Sequence, residues 1–441
     1  MSEKKEVSAL RFAVPVAIEN TATTVIGMVF SMVIGGISPS ALAAVGMGNQ
    51  IVTLLTAMLA ILTMGSAVLV ARYVGARDAT RTSATVEQSI FLTLGLSGLF
   101  TLLVIVFARP ILTLLLPGAE AQLFDETTVY LRALMISFPF LMLYNVLAGI
   151  LRAAGNSRAS MYIAIGMNCV QLLCAWLFLN VLRLDMLGAG LAYVICRLFG
   201  ALVILAITLR GCSQFHVHAA NCFRPDMGIC RTIVRVGMPM TLEQLSVQGG
   251  YTLANTMCVG LGTRAASAYQ IVNTLNNFAG IPQSICMAAA MTVVGQHIGA
   301  RRKDKACRSS TQIALTCLSL CMGLGLIVAL FGQRLSMLYT DDASLAKTCS
   351  NLLWMMLVYQ LTGSLINSID PALKVGGNQK YVMMQSIVCV WGIRLPLSWL
   401  LGYVLDMGIY GIYIANLTSL VMRAASGLFK RYRTNWIREE L

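Results

Sequence analysis

Long apolar segments alternate along the chain with short polar segments, and each apolar segment is about as long as a membrane-crossing helix. A bilayer core requires about 20 mostly apolar residues in a helix, so we predict one membrane span for each segment. Six spans precede a polar segment at 211–230 and six follow it. We place the spans near 11–36, 43–71, 86–108, 127–151, 157–181, 187–209, 232–260, 265–296, 309–332, 346–373, 381–403 and 408–430.

The composition agrees with this pattern and excludes a water-soluble fold. Of the 441 residues, 57% are hydrophobic and 11% are charged, whereas an ordinary soluble domain has about 25% charged residues. We therefore predict an all-α integral membrane protein with twelve transmembrane helices. We expect an N-terminal six-helix lobe at 1–210, a cytoplasmic connector at 211–230 and a C-terminal six-helix lobe at 231–441.

The net charge of +14 fits a membrane protein better than a protein that binds nucleic acid. Most of the 32 lysines and arginines lie beside alternate ends of the predicted spans, on the side that holds both chain termini. Basic residues favour the cytoplasmic side of a membrane, so we expect both termini and the connector to be cytoplasmic in a plasma-membrane protein. Arg197 and Arg394 are predicted to lie inside the membrane.

The two halves of the chain are related in sequence. The alignment has offsets of 224 and then 222 residues, and it pairs Pro15 with Pro239, Glu19 with Glu243, and Arg152 with Lys374. Since each half holds an even number of predicted spans, both halves enter the membrane from the same side and form parallel repeats. We expect a substrate path where the repeats meet.

Several short motifs follow one another in a characteristic order along nearly the whole chain. Besides the early prolines of spans one and seven, they are SPSALAAVG (38–46), LRAAGNS (151–157), GTRAASAYQI (262–271) and IRLPLSWLLG (393–402). With these motifs, the twelve spans and the repeat, the chain resembles the multidrug and toxic compound extrusion (MATE) family. The resemblance implies two six-helix bundles around a central cleft. It also implies export of organic, often cationic, compounds driven by inward flow of protons or sodium ions.

Glu19 and Glu243 are the acids that are predicted most clearly to lie well inside a span. A charged carboxylate is costly there, so such a residue is usually neutral, paired or exposed to water, and it is a candidate proton carrier. Each glutamate lies one helical turn beyond a proline, Pro15 or Pro239, and a proline inside a helix permits a bend. The alternative is that both glutamates brace their helices through hydrogen bonds.

The two intramembrane arginines are candidate partners of the glutamates. A rise of ~1.5 Å per helical residue puts Glu243 and Arg394 at similar depths, so we hypothesise that they form a pair. By analogy, we hypothesise a pair of Glu19 with Arg197. Alternatively, each arginine reaches an interface or bonds to backbone carbonyls. Asp370 lies closer to the end of its span, which makes it a weaker candidate partner.

Uncharged polar residues in several spans are candidates for the lining of the cleft. They are Asn20, Gln244, Asn49, Gln50, Gln270, Asn273, Asn277, Tyr144, Asn145, Gln360 and Asn367. Such side chains can line a wet cavity, but they can equally bond neighbouring helices.

The chain also departs from the family pattern. Many relatives have an aspartate in span one at the position that matches Phe30, and some have an acid in span seven at the position of Val247. Span ten also lacks the family's usual mid-helix acid, with Gly363 near that position. The sodium and proton sites of those relatives therefore do not transfer to this chain, and either H+ or Na+ is open as the coupling ion. We expect no other cofactor and no bound metal.

The expected function is secondary active antiport. The protein would export cationic or zwitterionic organic compounds in exchange for protons or sodium ions by alternating access. The alternative is a flippase for a lipid-linked or amphiphilic precursor. We do not expect an enzyme, because no nucleophile with a base, metal cluster or carboxylate pair lies on neighbouring helical turns. The expected partners are a small organic substrate and the lipid bilayer, and we expect a monomer.

Overall fold

The computed structural model of the protein is helical in every regular element that it describes. The described residues are 15–16, 18–19, 21–23, 26–27, 29–30, 39–115, 121–182, 184–210, 217, 222, 224–337, 342–433 and 436–437. The all-α fold that the sequence predicts is therefore confirmed for these residues.

The chain divides into two compact units, residues 1–241 and 242–441. The first contains α1 (Pro39–Met58), α2 (Ala60–Ala76), α3 (Ala79–Val106), α4 (Ala108–Leu115), α5 (Ala121–Ala153), α6 (Ser157–Val181) and α7 (Asp185–Leu209). The boundary lies within α8 (Met227–Gly260). The second continues with α9 (Thr263–Ala279), α10 (Ile281–Gly299), α11 (Lys303–Leu330), α12 (Gly332–Met337), α13 (Ala343–Val375), α14 (Gln379–Val404) and α15 (Gly408–Arg433).

The limits of the two six-helix lobes stay a prediction. The boundary between the compact units lies further along the chain than the connector predicted at 211–230. Much of that connector lies outside the described residues.

Eight described helices are long and apolar enough to cross a membrane, and two bent helix pairs could each form one further span. The bends measure 43° between α1 and α2 and 45° between α9 and α10. They fall in predicted spans two and eight, which the repeat relates. The helix α8 covers predicted span seven but contains Arg231, Arg235 and Glu243, and it is not among the apolar helices. Predicted span one lies mostly outside the described residues. The described chain supports eight to ten spans, and twelve stays a prediction.

The helices α5 and α13 occupy corresponding places in the two units. Each has 33 residues, and each is the most deeply buried candidate span of its unit. Each also carries a basic residue in its last turn, Arg152 in α5 and Lys374 in α13. A cation is favourable there because the carbonyl end of a helix carries partial negative charge.

Glycine ends both of these helices soon after the basic residue. Gly155 and Gly377 have φ angles of 88° and 89°, which a glycine adopts without a side-chain clash. The N–H groups of Asn156 and Asn378 donate back to carbonyls of the preceding turn, at 2.9 and 3.0 Å. This pattern is a Schellman-type helix end. It fixes where Arg152 and Lys374 stand in each unit.

The helix α14 contains two π-helical stretches, Val388–Arg394 and Leu400–Val404. Pro396 lies between them, and a proline cannot donate the usual backbone hydrogen bond and crowds the preceding turn. A wider π turn can relieve this crowding, and π turns often occur at functional sites. Arg394 is the last residue of the first π stretch.

Candidate ion-coupling site

In the first unit, Glu19 is 8% exposed and contacts side chains of α5 and α6. Its Oε1 atom accepts hydrogen bonds from Nη1 of Arg152 at 2.9 Å and from the hydroxyl of Tyr144 at 3.4 Å. Its Oε2 atom accepts one from the hydroxyl of Ser160 at 3.0 Å. A guanidinium and two hydroxyls therefore stabilise the buried carboxylate.

In the second unit, Glu243 is 4% exposed and lies between α13 and α15. Its Oε2 atom is 2.7 Å from Nζ of Lys374, and its Oε1 atom accepts a hydrogen bond of 2.7 Å from Nη2 of Arg423. Arg423 also donates to Oδ2 of Asp370 through Nη2 at 2.7 Å and Nε at 3.0 Å. Two acids and two bases thus form one buried cluster with balanced charge.

The two sites are related by the sequence repeat. Glu19 and Glu243 are repeat partners, and so are the cations Arg152 and Lys374 that contact them. The second unit adds Asp370 and Arg423. At offsets of 222 and 221 residues, the first half has Ala148 and Leu202 in their places. The common element is therefore a glutamate tied to the last turn of a 33-residue helix, α5 or α13.

Charge balance makes burial of these groups tolerable. A buried ion is costly unless a partner and further hydrogen bonds compensate it. Removal of one partner from such a pair typically costs 3–5 kcal/mol, because it leaves an uncompensated charge. The cluster around Glu243 is therefore sensitive to any change in the charge of its members, including protonation of a carboxylate.

The two pairings hypothesised from the sequence are wrong. Glu243 pairs with Lys374 and Arg423 instead of Arg394. Glu19 pairs with Arg152 instead of Arg197.

The predicted spans end at residues 151 and 373, just before Arg152 and Lys374, and therefore leave both residues in cytoplasmic loops. The helices α5 and α13 in fact extend past Arg152 and Lys374. The long side chains of these two residues reach the glutamates. Arg423 is also buried and paired, ten residues before the end of α15. Asp370, which the sequence made a weaker candidate, accepts two hydrogen bonds from Arg423. The matched positions of Arg152 and Lys374 in the repeat were the signal that could have revealed the pairing.

The intramembrane arginines lie against tyrosine rings. The guanidinium of Arg197 is 4.8 Å from the centre of the Tyr193 ring, and its Nη1 donates to the hydroxyl of Ser137 at 2.6 Å. The guanidinium of Arg394 is 4.3 Å from the centre of the Tyr251 ring. A cation over an aromatic face is stabilised by the ring's electron distribution. Neither arginine forms an ion pair with an acid of the described chain.

Gln360 and Asn367, predicted to line the cleft, belong to an amide network inside the second unit. Nε2 of Gln283 donates to Oε1 of Gln360 at 2.8 Å, and Nε2 of Gln360 donates to Oδ1 of Asn276 at 2.7 Å. Nδ2 of Asn367 donates to Oε1 of Gln283 at 3.0 Å. Gln283 and Gly280 lie at the bend between α9 and α10, so this network fastens the bend to α13.

The other predicted cleft residues differ in exposure. Tyr144 is buried on Glu19, as described above. The exposed residues are Gln50, Gln244, Gln270 and Asn277. The half-buried residues are Asn49, Asn145 and Asn273. Asn20 lies outside the described residues. A role of these residues in substrate binding stays a prediction.

Pro239 lies inside α8, which continues through it as one helix. Pro15 is described, but most of its neighbours in the chain are not. The hinge role of both prolines stays a prediction.

Solved structures share this fold along almost the whole chain. An outward-facing multidrug resistance MATE family transporter of the MOP superfamily aligns with a TM-score of 0.89 at 19% identity, covering 98% of each chain. A MATE structure in the bent conformation aligns with a TM-score of 0.89 at 19% identity, covering 96% of this chain and 94% of the other. The fold therefore defines an all-helical, multi-pass membrane protein of the MATE type.

The family model named MatE matches residues 15–177 and 239–400, and the chain belongs to this family of multidrug efflux transporters. Similar proteins include the uncharacterized transporter YisQ of Bacillus subtilis, 22% identical over 96% of this chain and 94% of its own length. The probable multidrug resistance protein NorM of Thermotoga maritima is 21% identical over 97% and 92%. Multidrug resistance protein PmpM of Pseudomonas aeruginosa is 24% identical over 91% and 84%. The family resemblance and the exclusion of an enzyme are confirmed.

The cluster predicts a specific pattern of stability. The variant Arg423→Leu should lose ~3–5 kcal/mol of unfolding free energy, because Asp370 and Glu243 lose a shared cation. The double variant Asp370→Ala/Arg423→Leu should recover most of this loss, because it recreates the residues of the first unit. The measurement is the thermal unfolding midpoint of the purified protein in detergent.

The control is Arg264→Leu, which breaks the exposed 2.6 Å pair with Asp342 in the same unit. A surface pair contributes at most ~1 kcal/mol, so this variant should stay close to the wild type. Equal unfolding midpoints for Arg423→Leu and Arg264→Leu would contradict the stabilising role of the buried charge cluster. A double variant with a lower midpoint than Arg423→Leu would contradict it as well.

Proposed function

We propose that the protein is a secondary active antiporter that exports organic cations or zwitterions in exchange for protons or sodium ions by alternating access. The observation that carries the proposal is the presence of two repeat-related buried ion pairs, Glu19 with Arg152 and Glu243 with Lys374. A titratable carboxylate inside a membrane protein is by default a candidate for ion coupling. Here the same carboxylate also joins helices that are distant in the chain.

The coupling follows from competition for the carboxylate oxygens. A proton or Na+ that binds Glu243 competes with Lys374 and Arg423 for the same atoms. Binding of the ion weakens the tie between α8 and the helices α13 and α15, and release of the ion restores it. The ion thereby biases two arrangements of the helices, as a ligand must if it is to shift a conformational equilibrium.

The net charge of the cluster around Glu243 explains why the coupling ion and a cationic cargo would bind alternately. With all four groups ionised, the cluster of Glu243, Asp370, Lys374 and Arg423 is neutral. A proton on either acid makes the cluster positive by one unit, and this disfavours a nearby organic cation. Loss of the proton removes the repulsion and permits a new cation to bind. The cycle therefore expels a cation when the coupling ion enters.

The relatives support an organic cargo. NorM of Thermotoga maritima and PmpM of Pseudomonas aeruginosa are described as multidrug resistance proteins. In the second unit, Glu243 and Asp370 compensate the buried charges of Lys374 and Arg423, which suits cationic or zwitterionic cargo better than a strongly anionic one.

The test is gradient-driven transport in proteoliposomes. A fluorescent organic cation should be transported by the wild type under a proton gradient, a sodium gradient or both. In Glu243→Gln, the rate with the gradient should fall to the rate measured without it, because the amide has no titratable proton and no negative charge to hold Na+. The control Asp342→Asn changes an exposed acid that caps α13 and should keep gradient-driven transport.

Two results would overturn the proposal. One is full gradient-driven transport by Glu243→Gln. The other is movement of a lipid-linked or amphiphilic precursor by the wild type without any cation exchange, which would indicate a flippase.

We further propose that the protein lies in the plasma membrane as a monomer with both termini cytoplasmic. Lys430, Arg431 and Arg433 occupy the last turn of α15, and basic residues favour the cytoplasmic side. A green fluorescent protein fused after Leu441 should be fluorescent, whereas an alkaline phosphatase fused there should be inactive. The reverse result would contradict this orientation. Light scattering in detergent should give the mass of one chain.

A further inference from the structure

Arg394 holds a buried positive charge that takes no part in the ion cluster of Glu243, Asp370, Lys374 and Arg423. Its side chain is 3% exposed and stacks on Tyr251, whose hydroxyl is 2.8 Å from that of Tyr359. Within the described chain, its Nε and Nη2 atoms are buried without a hydrogen-bond partner. Buried charged donors are normally satisfied, since leaving them unpaired is costly. The exception at Arg394 needs a ligand or a functional reason.

The two unsatisfied atoms form one edge of the guanidinium. This edge presents two parallel N–H groups, whose spacing matches a carboxylate or a similar planar oxyanion. The same unit contains an example of its use. Arg423 turns its Nε and Nη2 atoms to Oδ2 of Asp370 at 3.0 and 2.7 Å. Among the described residues, no acid lies on the corresponding edge of Arg394.

The described acids of the second unit do not supply the missing partner. Glu243 and Asp370 are engaged with Lys374 and Arg423. Asp342 pairs with Arg264 and caps α13. Asp304 and Asp406 are exposed.

We propose that the Nε and Nη2 edge of Arg394 binds a carboxylate of the transported compound, so that the protein selects zwitterionic over purely cationic cargo. The inference rests on the proposed export function and adds a specificity-determining residue to it. Tyr251 and Tyr359 are half-buried. The guanidinium lies over the Tyr251 ring, and the hydroxyl of Tyr359 contacts that of Tyr251, so these rings would contact the apolar part of the cargo.

The first unit supplies a matched control. Arg197 is also buried and lies over a tyrosine ring, but its Nη1 atom already donates to Ser137. In the described chain, none of the Arg197 nitrogen atoms is buried without a hydrogen-bond partner. A loss of positive charge at Arg197 therefore tests the effect of removing a buried cation as such.

The experiment compares two dyes that differ in one group. Rhodamine 110 has a free carboxylate, and rhodamine 123 is its methyl ester. Binding to the purified protein in lipid-free detergent is followed by fluorescence anisotropy. Arg394→Gln should lower the affinity for rhodamine 110 about tenfold or more, as expected for the loss of a charge-assisted hydrogen bond. The affinity for rhodamine 123 should stay within about twofold of the wild-type value. Arg197→Gln should not alter the ratio of the two affinities.

The inference is overturned if Arg394→Gln weakens both dyes equally or neither. It is also overturned if anionic lipid displaces both dyes from the wild type equally, which would assign the edge to a lipid headgroup. If Arg394→Gln does not fold, Arg394→Lys takes its place. Lysine keeps the charge but lacks the two-pronged edge, so a selective loss of rhodamine 110 supports the site and an unchanged ratio overturns it.

Failure of the export function would give a different result. In that case the wild type would not transport rhodamine 123 under any ion gradient. Gradient-driven transport of both dyes at unchanged relative rates by Arg394→Gln would reject only the carboxylate site.

Discussion

A charged carboxylate buried in a membrane protein is costly unless a partner compensates it, and in each unit this constraint ties the buried glutamate to the end of a long helix. Arg152 and Lys374 reach Glu19 and Glu243 from the last turns of α5 and α13. Those helices must therefore end at a set place, and a glycine turn ends each of them. The two units share this geometry because in each of them one buried charge has to be compensated.

The second unit has more polar chemistry than the first. It adds the pair of Asp370 with Arg423, the amides Gln283 and Gln360, and the unsatisfied edge of Arg394. The corresponding first-half residues are Ala148, Leu202, Leu59, Phe138 and Leu172. These five residues are apolar, and the polar feature that the described part of the first unit shares with the second is the ion pair of Glu19 with Arg152. Ion exchange and cargo selection are therefore best sought in the second unit.

The sequence predicts the helical membrane fold and its family because apolar length and the repeat are local, additive signals. It also identifies Glu19 and Glu243 as buried acids. It fails on their partners, because depth estimated from span ends ignores the reach of a lysine or arginine from the last turn of a helix. The match of Arg152 with Lys374 contained the missing information. The amide network through Gln283 depends on how α10 packs against α13, which no local pattern reveals.

The central claim is that the buried glutamates themselves bind and release the coupling ion. Infrared difference spectroscopy of the purified protein, between ion-loaded and ion-free states, measures this directly. The wild type should show a change in carboxyl or carboxylate bands, produced by a proton or by Na+. The double variant Glu19→Gln/Glu243→Gln should lack that change. An unaltered difference spectrum in the double variant would contradict the account.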